Sequence, residues 1–192
     1  MSKMHIPVVF MGGQYNHLIV RALKEIGASS KIILPNTSLE ALKGVDGLVM
    51  GGGPYSVYEG TEKFGNALEI IEKAQFPILG ICLSHQLIGK ALGGEVVKGR
   101  KPEYGKATVE VLDPDEILQG VGSEFEVWAS HNDEVKWKEG ARFKILAKSV
   151  YCHIEALKGI DKPVYGVQFH VEVADTPKGK DILKNFTSLC KK

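Results

Sequence analysis

Pro77-Ile-Leu-Gly-Ile-Cys-Leu-Ser-His-Gln-Leu-Ile-Gly-Lys-Ala-Leu92 is the stretch that decides the fold. Pro77 to Ile81 form a short apolar run of the kind buried on both faces of a parallel sheet. From about Leu83 to Leu92 the apolar residues recur at helical spacing instead. Cys82 stands between the two patterns, so a strand passes into a helix across a single residue. The same alternation extends toward the N-terminus. His5 to Met11, Lys31 to Pro35 and Asp46 to Met50 read as strands. Leu18, Ile19, Ala22, Leu23 and Ile26 mark one helix, closed by Gly27 as its C-cap. Ser38 caps a short helix to Lys43, and Ala67, Leu68, Ile70, Ile71 and Ala74 mark a further one. Strands and helices alternating at this spacing form βαβ units and a parallel sheet.

The pattern changes after Gly94. β-rich runs such as Ala107 to Leu112, Phe125 to Trp128 and Phe143 to Ala147 are separated by turn formers, including Asp113-Pro114 and Gly120-Val-Gly122. These predict antiparallel hairpins that extend or flank the main sheet. Pro163 to Phe169 is a late strand, and Ile182, Leu183, Phe186 and Leu189 lie on one face of a final helix from about Gly179 to Cys190. With no repeat, low-complexity tract or linker, residues 1–192 read as a single α/β domain, a mostly parallel central sheet flanked by helices with a β-rich antiparallel extension.

Composition narrows the function. The 24 basic residues nearly balance 23 acidic ones, a net charge of +1, which argues against a nucleic-acid partner. No apolar run approaches the roughly 20 residues that cross a bilayer. The N-terminus carries no apolar signal region, and the three cysteines, at 82, 152 and 190, form neither a CxxC pair nor a metal-like cluster. Reduced thiols in the cytoplasm and no bound metal are the expectation.

Three local features concern chemistry. Gly80-Ile-Cys-Leu-Ser84 pushes the central side chain out at the sheet edge, with small residues two places either side. A helix N-terminus supplies partial positive charge there, and the Leu83 N–H faces the same spot. The turn admits two readings, a nucleophilic Cys82 or a packed structural thiol. Gly51-Gly-Gly-Pro54 follows the third strand and is either a plain tight turn or a backbone approach to substrate, with Gly53 as the second oxyanion donor. Its pattern is not that of a phosphate loop. Gln168-Phe-His-Val-Glu172 ends the late strand, where residues i and i+2 point the same way. His170 and Glu172 are thus either a surface pair or a base and its orienting carboxylate.

Taken together, GICLSHQ, GGGP and QFHVEV resemble the class I glutamine amidotransferases. The resemblance implies a thioester mechanism that releases ammonia from glutamine, with Cys82, His170 and Glu172 as catalytic triad and the amides of Gly53 and Leu83 as oxyanion hole. It also places Gln86 against the bound glutamine, and His131, Asn132 and Asp133 in a loop, Ser130 to Val135, that receives the α-amino and carboxylate groups. Gly12 to Arg21, Val111 to Ile117 and Val127 to His131 are similar, within that family, to the amidotransferase part of GMP synthetases, above all the archaeal form in which this part is a separate chain. The likeness covers nearly the whole sequence. It implies ATP-activated xanthosine monophosphate as ammonia acceptor on a separate ATP-pyrophosphatase subunit, in a heterodimer. No Ser-Gly-Gly-x-Asp-Ser loop occurs here, so ATP and magnesium are expected on that partner and no cofactor in this chain. The alternatives are an amidotransferase for another acceptor, a related cysteine hydrolase and a non-catalytic regulatory chain.

The sequence departs from the family pattern at Ser84, where Gly is usual, at Val171, where Pro is usual, and at Gly51, where Ser is common. Ser84 is expected to cost backbone freedom at the elbow and to shift the Leu83 amide, and Val171 to loosen φ between His170 and Glu172. Cys152, Cys190, Trp128 and Trp137 read as packing residues, and His85 either approaches the site or lies on a helix surface. Lys98, Lys101 and Lys106 read as solvated surface, or as a face for an acidic partner patch.

Overall fold

The computed structural model describes residues 3–190. Nine strands form one sheet in the order β2-β1-β3-β4-β9-β8-β7-β5-β6. Its parallel part comprises β1 (Val8–Val9), β2 (Ile32–Ile33), β3 (Leu48–Met50), β4 (Ile78–Ile81) and β9 (Val164–Val167). β8 (Ala156–Gly159), β7 (Phe143–Lys148), β5 (Glu95–Val111) and β6 (Glu124–Lys136) continue it in antiparallel pairing.

Side chains of the parallel strands alternate between two apolar layers, as the strand period requires. Val8, Val49, Leu79, Ile81 and Val167 pack with α1 (Asn16–Glu25) and α4 (Gly179–Leu189). Val9, Leu48, Met50, Ile78 and Val164 pack on the other face with α2 (Ala67–Lys73) and α3 (Leu83–Ala91). Burial on both faces explains why these strands read as continuous apolar runs. Each fully buried Leu or Ile contributes about 1.5–3 kcal/mol of transfer free energy. The helix after Ser38 is shorter than expected, a single 3-10 turn over Glu40–Leu42, and the Ser38 hydroxyl accepts the Ala41 N–H at 3.2 Å.

The antiparallel half holds two corrections. β8 is a strand that the sequence pattern did not mark. Its four residues carry no strict alternation, and three of them are buried. The expected loop from Ser130 to Val135 is instead the end of β6, paired to β5 on either side of Asn132. A register shift between Lys98 and Glu103 on β5 leaves Asn132 exposed while His131 and Asp133 turn inward. That irregularity bends the hairpin across the sheet edge where the parallel strands end.

Candidate active site

Cys82 joins β4 to α3 with φ 54° and ψ −106°, a conformation outside the ordinary range for a non-glycine residue. Such strain costs about 1–3 kcal/mol and persists only where the surroundings impose it. Here the Cys82 N–H is held by the Val167 carbonyl of β9 at 2.9 Å, and its own carbonyl accepts the Gln86 N–H at 3.2 Å. A Cβ at Gly80 would lie 2.7 Å from the Ser84 backbone, so only glycine lets strand and helix pass this closely.

Ser84 does not strain the elbow as its replacement of glycine suggested. It sits inside α3 without a positive φ, is fully buried, and its hydroxyl donates to the Gly51 carbonyl at 2.6 Å. Gly51 in turn has no room for a side chain, because its Cβ would fall 1.9 Å from Asn16 Oδ1. The two departures therefore belong together: a hydroxyl on the helix ties down the glycine loop that an asparagine crowds from the opposite side.

That loop reaches the reacting groups. A Cβ at Gly52 would touch His170 Cε1 at 3.3 Å and Cys82 Cβ at 3.4 Å, and one at Gly53 would fall 2.0 Å from the Met11 carbonyl. The Gly13 N–H donates to the Gly52 carbonyl at 3.0 Å, fixing the loop to the β1–α1 connection. The Gly53 and Leu83 N–H groups have no acceptor among the described residues, and both residues line the same cleft.

His170 follows β9 and is clamped on both sides. Its N–H donates to the Trp128 carbonyl at 3.0 Å, and its carbonyl accepts the Thr176 hydroxyl at 2.6 Å. The same Thr176 oxygen accepts the Trp128 N–H at 2.9 Å. This clamp fixes the backbone that a proline at position 171 would otherwise stiffen, and Val171 is itself buried in the core. Its anchor, Thr176, carried no signal in the sequence. The His170 ring stands between Cys82 and Glu172, with Nδ1 2.7 Å from Glu172 Oε1. Burial works against a charged imidazole. The neighbouring Cys82 sulfur and the Glu172 carboxylate outweigh it and push His170 up to about 10, while the Cys82 thiol itself donates to the Ser130 carbonyl at 3.6 Å. Tyr15 meets the ring edge-on at 5.5 Å between centroids. The sequence-predicted triad therefore comes together in space.

The cleft above it measures about 520 Å³ and is floored by Cys82, Leu83 and Gly53 and walled by Tyr104 and Ser130 to Asp133. Gln86 lines it with its amide nitrogen committed to the protein, donating to the Asp133 carbonyl at 3.0 Å and to Gln168 Oε1 at 3.2 Å. Gln168 is fully buried and points its own Nε2 at the Cys82 sulfur, 3.7 Å away. Asp133 accepts the Ser56 hydroxyl at 2.7 Å, joining the β6 wall to the segment after the glycine loop.

His131 departs from its expected place against the substrate. Its ring turns away into a buried group: Nδ1 meets the Asp133 carbonyl at 3.0 Å and Nε2 lies 3.1 Å from Glu103 Oε2. Burial works against its charged form, yet Glu103 and Glu155 raise it above its usual range, while burial pushes Glu155 up to about 7. His85 neither reaches the cleft nor lies on a surface. It is fully buried, its Nε2 faces the Ile154 carbonyl at 3.0 Å, and burial drives it down to about 3. Glycine at 166 makes room for that ring, since a Cβ there would lie 2.6 Å from its Nδ1.

No helix among the described residues is long and apolar enough to cross a membrane. A family model described as "Glutamine amidotransferase class-I" matches residues 8–189. The chain is 48% identical over 189 residues to a glutamine-hydrolyzing GMP synthase subunit from Sulfolobus acidocaldarius, covering 98% of this chain and 100% of that protein. The protein of the same name from Pyrococcus abyssi is 48% identical over 187 residues, covering 96% and 98% of the two chains. Among solved structures, one described as a GMP synthase subunit from Thermoplasma acidophilum superposes with a TM-score of 0.92 at 37% identity, over 99% of this chain and 95% of that one. A glutamine amidotransferase from Thermotoga maritima shares the fold with a TM-score of 0.84 at 17% identity, over the whole of both chains. With a glycine loop, a strained cysteine elbow and a clamped His–Glu pair on one sheet edge, and with matches spanning almost its full length, the chain belongs to the class I glutamine amidotransferases.

Proposed function

We propose that the chain hydrolyses glutamine through a Cys82 thioester and delivers the ammonia to a separate ATP-pyrophosphatase subunit that aminates ATP-activated xanthosine monophosphate to GMP. One observation carries the chemistry: His170 stands between Cys82 and Glu172 while the Gly53 and Leu83 N–H groups have no acceptor among the described residues beside the same sulfur. The Cys82 sulfur attacks the side-chain amide carbon of glutamine, and its proton resides on His170. The Gly53 and Leu83 amides hold the tetrahedral oxyanion. His170 then protonates the departing nitrogen, the C–N bond breaks, and ammonia leaves a γ-glutamyl thioester. Water, deprotonated by the same imidazole, attacks that thioester, and glutamate departs as the sulfur is released. Glu172 keeps the ring in the orientation that faces the sulfur.

Asp133 receives the α-amino group of glutamine, and exposed Asn132 assists at the α-carboxylate. Gln86 and His131 act from behind, holding the β6 wall, because Gln86 Nε2 and His131 Nδ1 are both committed to the Asp133 carbonyl. Names carried by relatives at 43–48% identity support the acceptor. ATP and magnesium belong to the partner, and the free, buried thiols of Cys82, Cys152 and Cys190 suit a reducing cytoplasm. Glutamate release is to be measured with the chain alone and with its synthetase partner. Cys82→Ala is expected to lower it by about a thousandfold or more. Persistent turnover by that variant removes Cys82 from the nucleophile role.

A further inference from the structure

Behind the cleft wall lies a second cluster that the glutaminase chemistry does not use. Glu103 of β5, His131 of β6, Cys152 in the β7–β8 connection and Glu155 just before β8 are all buried, and their ligand atoms lie within 4.8 Å of one another. Glu155 is 0% exposed, yet neither of its carboxylate oxygens has a hydrogen-bond partner among the described residues. Glu103 Oε2 and His131 Nε2 are 3.1 Å apart, an ion-pair distance, but neither atom makes a hydrogen bond among the described residues. A buried carboxylate left in this state costs several kcal/mol in most settings, so it is normally neutralised or bound to a cation.

We propose that Glu103, His131, Cys152 and Glu155 form a buried structural site for a divalent ion of the zinc class. The donor set, one imidazole nitrogen, one sulfur and two carboxylate oxygens, suits zinc and excludes the all-oxygen preference of calcium and magnesium. The imidazole is set up for it. His131 Nδ1 donates to the Asp133 carbonyl at 3.0 Å, which aims Nε2 at the cluster, where an ion would take the place of its proton, as in metal-bound histidines held by a backbone acceptor. Glu103 is steadied in the same way by the Ser149 hydroxyl, 3.3 Å from its other oxygen. Without an ion the Cys152 thiol donates to the Ile154 carbonyl at 3.6 Å. Binding releases that proton, and affinity therefore rises with pH. All four positions are filled by protein, so the ion is structural and takes no part in turnover. It clips β5, β6 and the β7–β8 connection together directly behind the Ser130 to Asp133 wall.

The full chain is to be loaded with zinc, freed of loosely held ion and measured by elemental mass spectrometry, and loaded in parallel with cobalt for absorption spectroscopy. Near-stoichiometric zinc is expected, with a thiolate-to-cobalt charge-transfer band and a melting temperature that rises with zinc and falls back with chelator. Cys152→Ser should abolish the band and Cys190→Ser should leave it intact; Glu155→Gln should weaken zinc binding about tenfold or more. The proposal is overturned by substoichiometric metal without a cobalt–thiolate band. Metal retention unchanged in Cys152→Ser and Glu155→Gln overturns it too. The cobalt spectrum of the unaltered chain decides the question where a variant does not fold.

Discussion

The two halves of the sheet divide the work. In the parallel half, β3, β4 and β9 end side by side, and their ends deliver the glycine loop, Cys82 and the His170–Glu172 pair to one edge. The antiparallel half supplies no reacting group. It contributes a wall, the end of β6, with Asp133 facing the cleft and a buried acidic cluster behind. In the proposed function, chemistry thus rests on strand ends fixed by a two-sided apolar core, and substrate selection on a long hairpin that can vary without disturbing it.

That division sets out which measurements should move. Glu172→Gln strikes the parallel edge and should lower kcat by about two to four orders of magnitude with little change in KM for glutamine. A comparable loss confined to KM would shift Glu172 from the chemistry to binding. Cys82 and, after it, Glu172 beside the His170 ring fix the pH behaviour. His170 is raised from 6.5 to about 10 in the fold, so its stabilising contribution is complete below about pH 6.5 and is lost as pH climbs toward 10. The melting-temperature gap between the wild-type chain and Glu172→Gln should hold steady below pH 6.5 and narrow above it; a gap that widens there contradicts the assignment. Asp133→Asn strikes the antiparallel wall instead. If Asp133 receives the substrate amine as proposed, losing that charge-assisted bond is worth about 1.5–3 kcal/mol, and should appear as a KM raised about tenfold to a hundredfold with kcat nearly intact.

Smallest is Ser84→Ala, which tests how the halves of the active edge are tied to each other. Losing the bond to the Gly51 carbonyl should cost about 1 kcal/mol of stability and lower kcat only a few-fold through a looser glycine loop. No change in denaturant midpoint would mean that the loop is held by its backbone bonds alone, Gly51 N–H to the Val9 carbonyl and Gly13 N–H to the Gly52 carbonyl.

Legibility in the sequence followed the same boundary. Continuous apolar runs, helical spacing and Gly80-Ile-Cys-Leu-Ser84 identify the parallel strands and the elbow, because burial on both faces and close strand–helix passage constrain residue type directly. The His-x-Glu pair is visible because a strand places alternate residues on one face. In the antiparallel half the signals weaken. β8 is a short strand without strict alternation, and Ser130 to Val135 carries polar residues on a strand that a register shift bends inward. His131 and Gln86 have the residue types of ligand binders, and only their partners, Glu103 and Gln168, turn them toward the protein. Those partners lie 28 and 82 positions away, so no local pattern announces them. Ser84 and Gly51 each look like a defect when read alone. Their hydrogen bond makes them one arrangement.

The central claim is that Cys82 is the thiol that meets glutamine. Mass spectrometry of the chain after exposure to a glutamine-like electrophile addresses it most directly, read with and without excess glutamine. Modification confined to the peptide carrying Cys82, blocked by glutamine and absent from Glu172→Gln at short times, is the expected result. Labelling of Cys152 or Cys190, or labelling of Cys82 that glutamine does not slow, contradicts it.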